Sequence, residues 1–152
     1  MLKEGDPSPA FKATDMEGNM LSLKDLKGSK VALYFYPKDD TPGCTKEACS
    51  FRDSYSIFKK SGIKVIGVSL DSEKSHQKFS AKYNLPFTLL SDPDHSVADL
   101  FDVYGEKQFM GKTYMGVSRS TFLIDEKGKI KKIFHKVKPE DHAEEVLEAF
   151  KD

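Results

Sequence analysis

The order of hydrophobic patterns along the chain predicts an α/β protein, in which helices cover a mixed β-sheet. Short apolar runs typical of buried strands alternate with longer amphipathic segments typical of helices through most of the sequence. The chain then ends with two apolar runs joined by a glycine-containing turn and a final amphipathic segment. Alternating strands and helices followed by a terminal hairpin and helix are typical of an α/β sandwich with a mixed sheet.

The N-terminal part is expected to form a short hairpin. Residues 11–13 and 20–23 would be its strands, since the turn residues Glu17, Gly18 and Asn19 lie between them. One helical turn over residues 23–26 is expected to follow.

Three further strands and three helices are predicted in alternation. The nearly continuous apolar run 31–36 is typical of a central strand covered on both faces. The predicted strands are residues 31–36, 63–70 and 87–90. The first and third predicted helices are residues 41–61 and 97–101. The second is capped by Asp71 or Ser72 and carries His76, Phe79 and Tyr83.

The C-terminal third contains one segment without a clear pattern. Residues 104–114 are glycine-punctuated, and we interpret them as an irregular surface excursion. Residues 120–124 and 130–134 flank a turn and predict a hairpin, after which Pro139 opens the last helix. Since there is no linker or repeat, residues 1–152 are expected to form a single domain.

Composition excludes several classes of function. Lys and Arg together number 24, as do Asp and Glu, so the net charge of zero favours neither nucleic acid nor an anionic membrane as a partner. The run 31–36 is too short to span a bilayer, and the N-terminus lacks an apolar signal region. We therefore expect a cytoplasmic location.

Both cysteines follow the predicted strand 31–36, at the start of a helix. In a cytosolic domain such a pair is more typical of a catalytic or sensing site than of a permanent disulfide. Thr41 is a suitable N-cap and Pro42 a suitable first helical residue, which places Cys44 at the third helical position. Free backbone N–H groups and the helix dipole favour a thiolate there, and Gly43 leaves space for a substrate.

Nearby carboxylates require a compensating cation. Asp39 and Asp40 disfavour a thiolate at Cys44. Lys46 and Arg52 lie on the same helix, but Arg119 directly precedes a buried strand, where a charge needs a reason to be present. Its guanidinium could hold the thiolate and polarise a bound oxygen, although a surface ion pair remains an alternative.

The spacing of Cys49 from Cys44 has a geometric consequence. Five residues on an ideal helix give a rise of ~7.5 Å and a rotation of ~140°, hence a Cα separation of about 8.6 Å. A disulfide needs roughly 4.4–6.8 Å. If both cysteines react, the segment from about residue 41 to 51 must unwind in each cycle. A structural Cys49 remains the alternative.

These residues resemble a known family. Pro37-x3-Thr41-x2-Cys44 looks like the peroxidatic-cysteine motif of peroxiredoxins. Residues 35–53 and 116–125 are similar to the bacterioferritin-comigratory-protein branch, also called peroxiredoxin Q. The likeness covers essentially the whole chain.

The resemblance implies a thioredoxin-like sandwich with a central mixed sheet flanked by helices, and a thiol-dependent peroxidase acting on hydrogen peroxide and organic hydroperoxides. It implies that Cys44 is the peroxidatic and Cys49 the resolving residue. Thr41 and Arg119 would bind the peroxide, and Pro37 would shield the thiolate. Thioredoxin or a similar dithiol protein would be the electron donor. No cofactor or metal is expected, and a monomer would suffice.

The residues leave two other functions open. A general thiol–disulfide oxidoreductase normally uses Cys-x2-Cys, so the longer spacing and Thr41 count against it. A metal or peroxide sensor could use the cysteines and histidines, but they lack structural-zinc spacing, and the histidines are expected at the surface or at helix ends. The potential metal ligands of such a sensor are Cys44, Cys49, His76, His95, His135 and His142.

Glu47, one turn after Cys44, could hold Arg119 or be a solvated helix charge.

Overall fold

The computed structural model describes residues 2–151, so Met1 and Asp152 of the predicted domain lie outside the described residues. The strands are β1 Lys12–Asp15, β2 Met20–Ser22, β3 Lys30–Phe35, β4 Ile63–Ser69, β5 Thr88–Ser91, β6 Tyr104–Phe109, β7 Lys112–Val117, β8 Ser120–Ile124 and β9 Ile130–Phe134. The helices are α1 Leu23–Leu26, α2 Pro42–Asp53, α3 Tyr55–Lys60, α4 Glu73–Tyr83, α5 Ser96–Leu100 and α6 His142–Ala149, with a 3₁₀ turn at Pro139–Asp141 before α6.

Seven strands form one mixed sheet in the order β2-β1-β5-β4-β3-β8-β9. The central strands β3, β4 and β5 are parallel neighbours, joined by connections that contain helices. Strands β1 and β8 pair antiparallel with this centre, and each is also paired in a hairpin, with β2 and β9 respectively. The predicted α/β class, mixed sheet and two hairpins are confirmed.

Apolar cores cover both faces of the sheet. On β3, Val31, Leu33 and Phe35 enter one core, whereas Ala32 and Tyr34 enter the other, as the alternation of a strand requires. The first core is closed by side chains of α1 and α5. The second is closed by α2, α4 and α6, so α2 lies directly on the sheet. Within residues 2–151, no helix is long and apolar enough to cross a membrane.

The single helix predicted for residues 41–61 is wrong, because Ser54 divides it into α2 and α3. Ser54 has φ −102° and ψ 8°, outside the helical region, and its carbonyl accepts bonds from Ile57 and Phe58 that begin the next helix. Serine is a modest helix former, and the break costs little burial, since Phe51 and Phe58 are both completely buried.

The irregular excursion predicted for residues 104–114 is also wrong, because this segment forms the hairpin β6–β7. Its two-residue turn has positive φ at Met110 (51°) and Gly111 (79°), as a type I′ turn requires. Methionine seldom adopts this conformation, and the two strands are largely exposed, so neither a turn signal nor an apolar alternation marks the hairpin in the sequence.

Gly67 on β4 offers a test of packing in the second core. A Cβ at this position would lie 2.8 Å from both Leu89 Cδ2 and Tyr34 Cζ. We expect Gly67→Ala to lower the free energy of unfolding by about 1–3 kcal/mol, as measured by urea denaturation. Gly105→Ala is the matched control, because no heavy atom outside its chain neighbours lies within 4 Å of a Cβ there. Equal stability of the two variants would contradict this packing.

Candidate active site

Cys44 lies at the third position of α2, as predicted from the helix-start residues. Thr41 is the N-cap, with φ −96° and ψ 156°, and Pro42 is the first helical residue. The Cys44 side chain is buried with 2% of the residue exposed. The thiol therefore lies at the positive end of the helix dipole, out of bulk water.

Arg119 reaches Cys44 from the loop between β7 and β8. Its Nη2 donates to Cys44 Sγ at 3.3 Å, and its Nη1 donates to Glu47 Oε1 at 2.6 Å. Gly43 makes this approach possible, because a Cβ there would lie 3.0 Å from Arg119 Nη2. The predicted pairing of Arg119 with Cys44 is therefore present, and the space left by Gly43 is used by the guanidinium.

Glu47 is a buried carboxylate rather than a solvated helix charge. The residue is completely buried, and its Oε2 has no hydrogen-bond partner among the described residues. Burial raises the pKa of the Glu47 carboxyl to about 7, although the charge and hydrogen bond of Arg119 act in the opposite direction. Glu47 thus holds Arg119 and titrates near neutral pH.

The two carboxylates expected to oppose a thiolate are engaged by other groups. Asp39 accepts from Tyr36 Oη at 2.6 Å and lies 2.7 Å from His76 Nδ1. Asp40 accepts hydrogen bonds from Lys82 Nζ at 2.7 Å and from Tyr83 Oη at 2.8 Å. Both lower the pKa of the Asp40 carboxyl, and the bond from Lys82 has the larger effect. The negative charge of Asp40 is therefore balanced by a lysine of α4.

Cys49 lies on the same continuous helix as Cys44. Both cysteines are free thiols, and Cys49 is half-buried. Burial raises the pKa of the Cys49 thiol, with Arg52 opposing this effect. The structure corresponds to the reduced arrangement with α2 complete, and the unwinding that a disulfide would need stays a prediction.

Thr41 and Pro37 flank the site in the loop between β3 and α2. The Thr41 hydroxyl donates to the Lys38 carbonyl oxygen at 2.9 Å. Among the described residues the Thr41 side chain makes no capping hydrogen bond to α2, so Thr41 is the N-cap through its position and backbone conformation. Pro37 is half-buried in the bend after β3. Their roles toward a substrate stay predictions.

His76, inside α4, departs from the expected positions at the surface or at helix ends, whereas His142 begins α6 and so lies at a helix end as expected. His76 and His142 are completely buried, and His142 Nε2 lies 2.7 Å from Thr121 Oγ1. Residues 2–151 contain no group of three or more His, Cys, Asp or Glu side chains that could hold a metal ion. His76 was not predicted as part of the site, although its spacing from Phe79 and Tyr83 places it on the inner face of α4.

Comparisons with known proteins agree on one family. The sequence model described as the AhpC/TSA family matches residues 5–133. Peroxiredoxin Bcp of Bacillus subtilis is 49% identical over 151 residues, which cover 99% of this chain and 96% of that protein. The similarity therefore spans both sequences almost completely.

Solved structures give the same result. The bacterioferritin comigratory protein of Xanthomonas campestris, solved to investigate its alkyl peroxide reduction, is similar with a TM-score of 0.86 and 42% identity, covering 91% of this chain and 88% of that one. A mutant of PrxQ from Xylella fastidiosa has a TM-score of 0.93 and 36% identity, covering 99% and 96%. The similarity includes the predicted thioredoxin-like fold.

The raised pKa of Glu47 predicts a pH-dependent stability. The folded chain binds this proton more tightly than the unfolded chain, so the Glu47 contribution is present below pH 4.5 and is lost as the pH rises through about 7. Relative to Glu47→Gln, the wild-type free energy of unfolding should fall by about 3 kcal/mol across this window, as followed by urea denaturation. Glu106→Gln, which changes an exposed carboxylate of β6, is the control. A constant difference between wild type and Glu47→Gln would show that Glu47 does not titrate here.

Proposed function

This chain belongs to the AhpC/TSA family and is a peroxiredoxin, and we propose that it reduces hydrogen peroxide and organic hydroperoxides through Cys44. The observation that supports this assignment most directly is the 3.3 Å contact between Arg119 Nη2 and Cys44 Sγ at the start of α2. The alkyl peroxide reduction attributed to the Xanthomonas campestris relative supports organic hydroperoxides as substrates.

In the first step the Cys44 thiolate attacks one peroxide oxygen. The O–O bond breaks, sulfur becomes a sulfenic acid, and the other oxygen leaves as water or an alcohol after it gains a proton. The Arg119 guanidinium lies beside the sulfur and can donate to the oxygen on which negative charge develops. Arg119 would thus stabilise both the nucleophile and the leaving group.

Thr41 and Pro37 complete the proposed substrate pocket. Because the Thr41 hydroxyl hydrogen is directed to the Lys38 carbonyl, the lone pairs of its oxygen remain able to accept from a peroxide O–H. Such a bond would orient the peroxide for attack. Pro37, in the bend before Thr41, would shield the thiolate from water.

In the second step the Cys49 thiol would condense with the Cys44 sulfenic acid, forming a disulfide and releasing water. Since the helix holds the two residues apart, the first turns of α2 must unwind before this reaction. A dithiol protein such as thioredoxin would then reduce the exposed disulfide by exchange. Because both cysteines belong to one chain, a cytoplasmic monomer would be sufficient.

The assignment of the two cysteines can be tested by mass spectrometry after one equivalent of hydrogen peroxide. We expect wild type to form a Cys44–Cys49 disulfide and Cys49→Ser to stop at a sulfenic acid on Cys44 that a dimedone probe traps. Cys44→Ser should remain reduced. A wild-type protein without this disulfide would contradict the proposed resolution step, and oxidation of Cys44→Ser would contradict the choice of the first thiol.

The role of Arg119 can be tested by rapid quenching with a thiol-alkylating reagent. Arg119→Met should slow peroxide oxidation of Cys44 by about a hundredfold, because a preorganised donor to a developing oxyanion contributes rate factors of this order. Arg52→Met is the control, since Arg52 lies on α2 but donates to the Tyr83 carbonyl at 2.9 Å. Equal rates for the two variants would exclude Arg119 from the reaction.

A further inference from the structure

His76 is completely buried on α4, and both of its ring nitrogens face acceptors. Nε2 lies 2.9 Å from the Leu90 carbonyl oxygen of β5, and Nδ1 lies 2.7 Å from Asp39 Oδ2. The two side chains expose only 0% and 4% of their surface. The pair is therefore shielded from bulk water.

These contacts determine how many protons the pair holds. A carbonyl oxygen has no proton to give, so Nε2 must donate to Leu90. If Asp39 is ionised, a neutral ring would direct a bare Nδ1 at its oxygen, and two lone pairs would face each other at 2.7 Å. The close Nδ1–Oδ2 contact therefore requires a second proton.

The surroundings of Asp39 locate this proton on the ring. The carboxylate also accepts from Tyr36 Oη at 2.6 Å and from Ser75 Oγ at 2.8 Å. Tyr36 remains a donor, because burial raises the pKa of its phenol well above the usual value. An ionised carboxylate can accept all three of these hydrogen bonds at once, so the geometry fits an N–H donor at His76 Nδ1.

The pair connects the loop before α2 to the body of the protein. Through Asp39, this loop is joined to α4, and through His76 it is joined to β5. The Asp39 N–H also donates to Asp71 Oδ2 at 2.8 Å, and Asp40 adds the outer contact with Lys82. Each of these connections is made without a residue of α2.

We propose that His76 is a positioning residue, and that its ionic hydrogen bond to Asp39 holds the loop of Pro37 and Thr41 in place while α2 forms and unwinds. This inference rests on the proposed role of Cys44 as the peroxide-reacting thiol. The loop would keep the peroxide pocket and the N-cap at fixed positions, so that α2 winds again from a preformed start. Removing one partner leaves the other buried without its counter-charge, which displaces the loop.

The protonation of the pair can be measured on the unaltered, reduced protein. In ¹⁵N-labelled protein at neutral pH, both ring nitrogens of His76 should show chemical shifts of protonated nitrogen, and the His76→Gln spectrum supplies the assignment. A neutral ring with a bare Nδ1 would overturn the proposal. This measurement requires no peroxide, so its result is independent of the proposed function.

The positioning role can be measured by separating the two steps of the reaction. His76→Leu and Asp39→Ala should each slow peroxide oxidation of Cys44 by about tenfold or more, since small misplacements in a site cost up to about a hundredfold in rate. Formation of the Cys44–Cys49 disulfide from the sulfenic acid should not be slowed. The double variant should be no slower than the slower single variant, because both changes break the same contact.

Asp92→Asn is the control for a general loss of stability. Asp92 is a buried carboxylate that accepts from the Val97 and Ala98 N–H groups at the start of α5. Three results would each overturn the positioning role. Oxidation of Cys44 could be as fast in the single variants as in wild type, Asp92→Asn could slow it equally, or the two effects could multiply in the double variant. If wild-type Cys44 is not oxidised at all, the proposed function fails, and the ¹⁵N result still decides whether the ionic pair exists.

Discussion

The contact between Arg119 and Cys44 depends on the register of β3 with β8. These strands pair antiparallel, with Phe35 opposite Ser120. Arg119, which immediately precedes Ser120, is therefore placed next to the end of β3, where the chain turns toward α2. A shift by one residue would move the guanidinium to the other face of the sheet, so the site exists only in this register.

The Glu47 carboxyl, buried beside the apolar residues of α2, is paired with the guanidinium of Arg119. Cys44 and Ala48 belong to the apolar side of α2, yet Glu47 between them is also completely buried. Arg119 offsets the burial of Glu47, and Glu47 in turn orients Arg119 toward the sulfur. Burying the Glu47 carboxylate with one oxygen unpaired is energetically costly. We interpret Glu47 as a residue retained for its function, because its ion pair with Arg119 directs the guanidinium toward the Cys44 sulfur.

The proposed chemistry places opposite demands on α2, and its boundaries suit both. At the N-terminal end, the loop before the helix is fixed by contacts with α4. At the other end, Ser54 separates α2 from α3, so unwinding of the first turns need not disturb the burial of Phe58. A helix bounded on both sides can lose and regain its first turns with little consequence elsewhere.

The sequence by itself determined the elements that short-range rules govern. The start of α2 at Thr41 and Pro42, the third position of Cys44 and the spacing to Cys49 follow from capping preferences and helix geometry. The alternation of strands and helices follows from hydrophobic periodicity, whereas the turn at Met110 and the break at Ser54 do not, because no local signal marks them.

Tertiary structure alone decided which distant residues meet. Arg119 contacts a cysteine 75 positions earlier, and His76 meets Asp39 across 37 positions. Such contacts depend on strand register and helix placement, which arise from packing the whole chain.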